Sequence, residues 1–203
     1  GNVYFAFFSV LMVWGWIELA FLSGVITGPE RRPCPETLNG WGRFVRAWNT
    51  LSYHELLLLG GLLIVTVATT DAENTFGFWA YLLLFAARIS AKLNLFFGVP
   101  RINTEFVPRP LQHLKSYFRQ GNVTVAFVIG VTLLSLATAY FAERLMSADA
   151  DAQTVGFTLL LALSALATIE HWLMIIPLPD AKLWRWMLPA LPTTHKTGQS
   201  HEL

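Results

Sequence analysis

The sequence predicts an all-α fold: a polytopic integral membrane helical bundle of about five transmembrane helices, with short interfacial helices. Three observations predict it. Apolar residues make up 54% of the 203-residue chain and charged residues only 13%, about half the charged fraction of a soluble domain, and the mean hydropathy is +0.49. Several stretches approach the ~20 apolar residues that a helix needs to cross a ~30 Å hydrocarbon core. The charges and helix breakers collect between those stretches rather than within them.

The chain opens at Gly1 already inside an apolar run, so further residues are expected upstream, and the first predicted span covers residues 3–26. It stops at "TGPERRPCP", where glycine and prolines cannot continue a helix. The second, residues 51–70, begins "LSYHELLLLGGLLIV" and ends at "TTDAENT". The third, residues 76–99, contains "FAARISAKLNLFF" and ends at "GVPR". Residues 123–140 form the fourth, followed by "SADADAQ", and residues 155–177 the fifth, containing "LALSALATIEHWLMIIP". Together they make one membrane domain over residues 1–190, with 191–203 as a cytoplasmic tail.

Loop charge orients the bundle. Arg31, Arg32, Arg43 and Arg46 fall in the first loop, and Arg101, Arg109, Lys115 and Arg119 in the third. The second and fourth loops carry Asp71, Glu73, Asp149 and Asp151 with Arg144 as their one basic residue, and the tail adds Lys182, Arg185 and Lys196. By the positive-inside rule the basic loops and the C-terminus are cytoplasmic. In "RPLQHLKSYFR", Leu111, Leu114 and Phe118 form one apolar stripe on a helix lying in the interface. "GWGRFVRAW" and "LPDAKLWRWML" read the same way, with Trp41, Phe44 and Trp48 entering the headgroup region. Most of the basic residues sit in discrete loops and give no stripe for nucleic acid, and lipid is the expected surroundings. Cys34 is the only cysteine, so neither a disulfide framework nor a cysteine zinc cluster is available.

The residues that carry chemistry lie at one depth. Glu18, the adjacent pair His54 and Glu55, then Arg88, Lys92 and Asn94, then the pair Glu170 and His171 all fall in the cytoplasmic half of their spans. At ~1.5 Å per residue they share a slab on the order of 10 Å thick. Ionisable groups at membrane depth are costly and face the bundle interior in pairs, and Arg88 and Lys92, one turn apart, share a face. One reading is a salt-bridged core that cements the helices. A second uses His54 and His171 as cofactor-binding residues, axial ligands of a tetrapyrrole, a pigment or a haem. A third gives Glu18, His54, Glu55, Glu170 and His171 to a transition metal. Against the last, a di-iron bundle wants Glu-x-x-His on one face, whereas adjacent residues diverge by about 100°. Phosphate loops, nucleophile elbows and HExxH motifs are absent from the sequence, so no catalytic residue is assigned.

The segments "FLSGVITGPERRPCP", "GWGRFVRAWNTLSYHELLL", "RISAKLNLFFGVPRINTEFVPRPLQHLKSYFR" and "IEHWLMIIPLPDAKLWRWML" resemble the PuhE family, photosynthetic complex assembly proteins of purple bacteria. The matching positions include Glu18, His54, Glu55, Arg88, Lys92, Asn94, Glu105, Lys115, Glu170 and His171. The family pattern has Trp-His-Glu where this chain reads Trp16-Ile17-Glu18, which would remove a third histidine from any ligand set. The resemblance implies an assembly factor or accessory subunit in the intracytoplasmic photosynthetic membrane. Its partners would be reaction-centre and light-harvesting polypeptides. The alternative is a metal-dependent oxidoreductase acting on a bacteriochlorophyll or other pigment precursor.

Overall fold

The computed structural model describes residues 2–176. The third predicted interfacial segment, the tail and its basic residues lie outside the described residues. Five helices follow one another along the chain: α1 (Val3–Leu22), α2 (Gly40–Ala68), α3 (Phe76–Phe97), α4 (Val125–Met146) and α5 (Asp151–Leu173). Each is long and apolar enough to cross a membrane, and the protein is a multi-pass membrane protein with an all-helical fold. Among the described residues no strand forms, and the one bridge, Val99 with Gln120, lies in a loop.

Helix α3 occupies the centre and packs against each of the other four, while α4 and α5 pair along their length. The interior around it is apolar. Phe7 and Val10 of α1 meet Ala80, Tyr81, Leu83 and Ala87 of α3, Leu134 and Phe141 of α4, and Leu160 of α5. Long apolar side chains such as Phe5, Met12, Ile64, Val67 and Leu133 remain exposed around the outside, the expected surface where the surrounding solvent is hydrocarbon rather than water. The Tyr81 hydroxyl donates to the Leu58 carbonyl at 3.0 Å, so this buried phenol is satisfied across the α2–α3 contact.

The boundaries depart from the sequence expectation in informative ways. α2 begins eleven residues earlier than predicted, at Gly40 rather than 51, so "GWGRFVRAW" is the first turns of a spanning helix, not a separate interfacial one. α4 continues past residue 140 to Met146, because nothing in "FAERLM" breaks a helix. That extension carries Glu143 and Arg144 to the acidic end, where Arg144 lies 5.6 Å from the Phe157 ring centroid. The segment Arg109–Tyr117 winds as a 3₁₀ helix, whose period of three selects Leu111, Leu114 and Tyr117 for burial. Tyr117 thus completes the stripe that a 3.6-residue period assigned to Phe118. The segment packs onto Phe21 at the end of α1 and onto Leu51 of α2.

Two glycines make the first loop. After Ser23, Gly24 takes φ +78°, and the Gly24 and Val25 amides donate to the carbonyls of Phe21 and Ala20 at 2.8 and 3.0 Å. This is the Schellman ending, which a left-handed residue permits. The chain then crosses α2 closely: the amides of His54 and Glu30 donate to the carbonyls of Thr27 and Asn49 at 3.1 and 3.2 Å. A Cβ on Gly28 would sit 2.0 Å from the Asn49 carbonyl oxygen.

Gly28→Ala therefore forces this crossing apart. The expected loss is about 1–3 kcal/mol, as for other overpacked sites, read as a lower unfolding midpoint in detergent, whereas Gly15→Ala, with no atom within 4 Å of its new Cβ, should be tolerated. The 3₁₀ segment should also feel pH. Burial first, then the Arg31 charge, pushes His113 below its ordinary value of 6.5, and its Nε2 is buried without a partner. The unfolded segment then binds more protons than the docked one, so docking weakens as pH falls below 6.5. Amide protection over residues 109–117, taken relative to the intrinsic exchange rate at each pH, should fall between pH 7 and pH 5, and His113→Gln should flatten that response.

Candidate functional site: a buried ion cluster on α3

Three helices bring ionisable groups together on one side of α3. Arg88, one turn before Lys92, donates from its guanidinium to Glu18 Oε2 of α1 at 2.8 Å. Lys92 donates to Glu55 Oε1 of α2 and lies 3.2 Å from His54 Nδ1. The His54 ring is fully buried. An ammonium has only protons to offer, so Nδ1 accepts from Lys92 and the ring proton sits on Nε2. Nε2 faces Glu18 Oε1 at 3.5 Å, too long for a good hydrogen bond. Glu55 Oε1 lies 3.4 Å from Nδ1, where two acceptors face each other, and Lys92 bridges them. The order across the helices is Arg88, Glu18, His54, Lys92, Glu55.

Phe21 closes the cluster. Its ring centroid is 4.3 Å from that of His54 and 5.9 and 5.7 Å from the charged groups of Arg88 and Lys92, inside cation–π range. Two carboxylates balance two cations around the imidazole. That balance lets the group lie at membrane depth, where a lone charge would be expelled. Glu55 is the more enclosed of the two carboxylates, with 4% of its side chain accessible, against 17% for Glu18.

His171 goes elsewhere. Its Nε2 lies 2.9 Å from Ser90 Oγ and its Nδ1 lies 2.8 Å from the Ala167 carbonyl. The carbonyl can only accept, so Nδ1 carries the proton and Nε2 accepts from Ser90. Gly130 of α4 makes room, since a Cβ there would lie 2.1 Å from Ser90 Oγ. Ser90 stands two residues from both Arg88 and Lys92, about 200° around the helix. His54 and His171 therefore pack against opposite sides of α3. Asn94, grouped by sequence with Lys92, is one turn from Ser90 instead. It is wholly buried, with neither amide atom hydrogen-bonded.

The five candidate metal ligands do not converge. Glu18, His54 and Glu55 meet, with Arg88 and Lys92 holding the carboxylates, while His171 lies across α3 and Glu170 is exposed. Among the described residues, no group of three or more His, Cys, Asp or Glu is arranged to hold a metal. Nor does the geometry fit axial ligation of a tetrapyrrole: both rings are sealed and each nitrogen faces a protein atom. Glu170 does line a cleft of about 320 Å3 with Trp14, Glu18, Ala87, Arg88 and Ala91, so α5 brings a third carboxylate to the rim of the cluster but not into it.

The residues that sequence reasoning missed are mostly uncharged. Phe21, Ser90 and Tyr117 were invisible as site residues because nothing in an apolar or hydroxyl side chain marks its partner. Tyr117 ties the basic loops together: its hydroxyl accepts from Arg46 Nε at 3.3 Å and donates to the Arg32 carbonyl at 3.1 Å. Arg46 also pairs with Glu30 at 2.9 Å.

The family model described as "Protein of unknown function (DUF3623)" matches residues 1–195. The chain belongs to that family. A family relative from Rhodobacter capsulatus, described as an uncharacterized 30.4 kDa protein in the puhA 5' region, is 50% identical over 192 residues, which is 95% of this chain and 70% of the relative. No solved structure matches.

Removing one partner from the cluster should cost far more than removing Glu170. Lys92→Met leaves the Glu55 carboxylate and His54 Nδ1 without a donor, and an uncompensated buried charge costs about 3–5 kcal/mol. Glu55→Gln added to Lys92→Met should recover part of that loss. Glu170→Gln should shift stability by less than about 0.5 kcal/mol. Unfolding of the purified parent and the three variants in mixed micelles measures these differences.

Proposed function

We propose that this protein is a non-enzymatic integral membrane assembly factor or accessory subunit for the bacterial photosynthetic reaction centre and its light-harvesting antenna, of the PuhE kind. The observation that carries the reading is the relative in the puhA 5' region, a photosynthesis gene neighbourhood. Half-identity over nearly the whole chain makes a shared role the economical inference. The internal chemistry supports it. The buried ionisable groups neutralise one another, which suits a rigid scaffold better than a centre that must admit substrate. The two histidines that could have held pigment are spent on Lys92 and Ser90.

A scaffold needs an outward face. α1 offers Tyr4, Phe5, Phe8, Met12, Trp16 and Leu19, all exposed. On our reading these aromatic and long apolar side chains are shared between lipid and the membrane helices of reaction-centre and antenna polypeptides. The basic end, with its tied loops, faces the cytoplasm of the photosynthetic membrane, and the C-terminus lies on that side.

Tagged protein isolated from a phototrophically grown cell in mild detergent, after rapid cross-linking, should carry reaction-centre or antenna polypeptides above the level of an unrelated membrane protein. Cross-links placed at Trp16 and Met12 should capture them more efficiently than cross-links at Met146, at the acidic end of α4. Recovery of the protein without any such polypeptide would contradict the reading.

A further inference from the structure

Between the first turns of α2 and the last turns of α3 lies a groove of about 700 Å3. Its lining includes Arg43, Arg119, Trp41, Phe44, Phe96 and Phe97. Two guanidiniums therefore face one space, and no carboxylate is among the described residues that line it. Neither arginine takes part in an ion pair with a described acidic side chain, unlike Arg46 with Glu30 and Arg88 with Glu18. Arg43 is held in place by its own hydrogen bonds, donating to the carbonyls of Phe96 and Tyr117, and its guanidinium lies 4.2 Å above the Phe96 ring centroid. Arg119 is exposed, and its backbone is held beside the end of α3, its amide donating to the Leu95 carbonyl and its carbonyl accepting from the Val99 amide. Like charges set together with no counter-charge leave an anion-shaped vacancy in the electrostatics.

The walls say which anion. Trp41 stacks on Phe44 at 5.3 Å and Phe44 meets Phe96 edge-on at 5.7 Å, giving an aromatic rim at the level where rings sit in a bilayer interface. Below it, Phe44, Leu93 and Phe96 also line a narrower apolar pocket of about 110 Å3. That pocket continues past Ala47, Leu51 and Ile89 to the Lys92–Glu55 pair. Charge at the mouth, aromatic rings at the rim and an aliphatic slot running down two helices match a phospholipid with an anionic headgroup. A free phosphate would use only the mouth.

We propose that this groove is a specific site for an anionic phospholipid, its phosphate between Arg43 and Arg119 and one acyl chain along Leu93 and Ile89. The site binds the lipid at the basic end of α2 and α3, beside the loops that Tyr117 ties. Lipid there locks the start of α2 to the end of α3.

The test uses delipidated full-length protein in neutral detergent, with phosphatidylglycerol, phosphatidylcholine and inorganic phosphate as probes. Native mass spectrometry should show one phosphatidylglycerol retained preferentially and saturably, and phosphatidylglycerol should raise the unfolding temperature more than phosphatidylcholine does. Arg119→Gln, which leaves the Arg43 hydrogen bonds intact, should weaken retention about tenfold, the loss of one charge-assisted hydrogen bond. Leu93→Trp should block the slot and lower retention while leaving both arginines in place. Equal retention of the two lipids, or an Arg119→Gln variant that binds like the parent, overturns the proposal. So does displacement by inorganic phosphate at equimolar concentration, since that would make the anion alone the ligand.

Discussion

Two cations one turn apart on the central helix govern the rest of the structure. A helix carrying Arg88 and Lys92 cannot lie in hydrocarbon unless those charges are answered, and α3 sits where α1 and α2 can answer them. Glu18 takes Arg88, Glu55 takes Lys92, and His54 lies between with a nitrogen toward each side. The pairing fixes which faces of α1 and α2 turn inward, and hence which apolar residues are left for the membrane. Lengthwise it fixes register, since a slide of one turn would separate both pairs at once. Dispersion between apolar helices in lipid supplies little such selectivity, because hydrocarbon outside is as good a neighbour as leucine inside.

The same constraint explains the division of labour around α3. The ion cluster uses the side bearing residues 88 and 92. The far side is left for neutral polar contacts, His171 with Ser90, and for small residues that let α4 and α5 approach. Thr138 and Thr168 meet at 3.3 Å across the α4–α5 pair, another neutral contact. Charge is thus spent where helices must be specified, and hydroxyls serve where they need only be joined. At the basic end, Arg43, Arg46 and Tyr117 extend the network into the loops, so the chemistry of the protein is concentrated in one half of its thickness.

Much of this was legible in the sequence. The five spans follow from apolar length, and the shared depth of Glu18, His54, Glu55, Arg88 and Lys92 follows from counting residues to the nearest loop. Depth, however, is one coordinate of two. The angle around each helix decides partners, and counting alone could not place it for all groups. It put His171 and Asn94 in one layer with His54, whereas the 200° between Ser90 and either cation sends them to the opposite side of α3. Glu170, about 100° around the helix from His171, is exposed, whereas Glu55, equally adjacent to His54, is buried because Lys92 meets it there. The loops were less legible still. A 3₁₀ period replaced the α period between Arg109 and Tyr117, and the close crossing at Gly28 depends on tertiary contact with Asn49 that no local pattern announces.

The central claim is that the charges of α1 and α3 face each other inside the bundle, and reversing them tests it most directly. Unfolding midpoints of Glu18→Arg, Arg88→Glu and the double exchange, measured in the same detergent, give the coupling between the two positions. The account predicts that each single reversal sharply destabilises the protein and that the double exchange restores much of the loss. A double exchange no more stable than its worse single parent would contradict it.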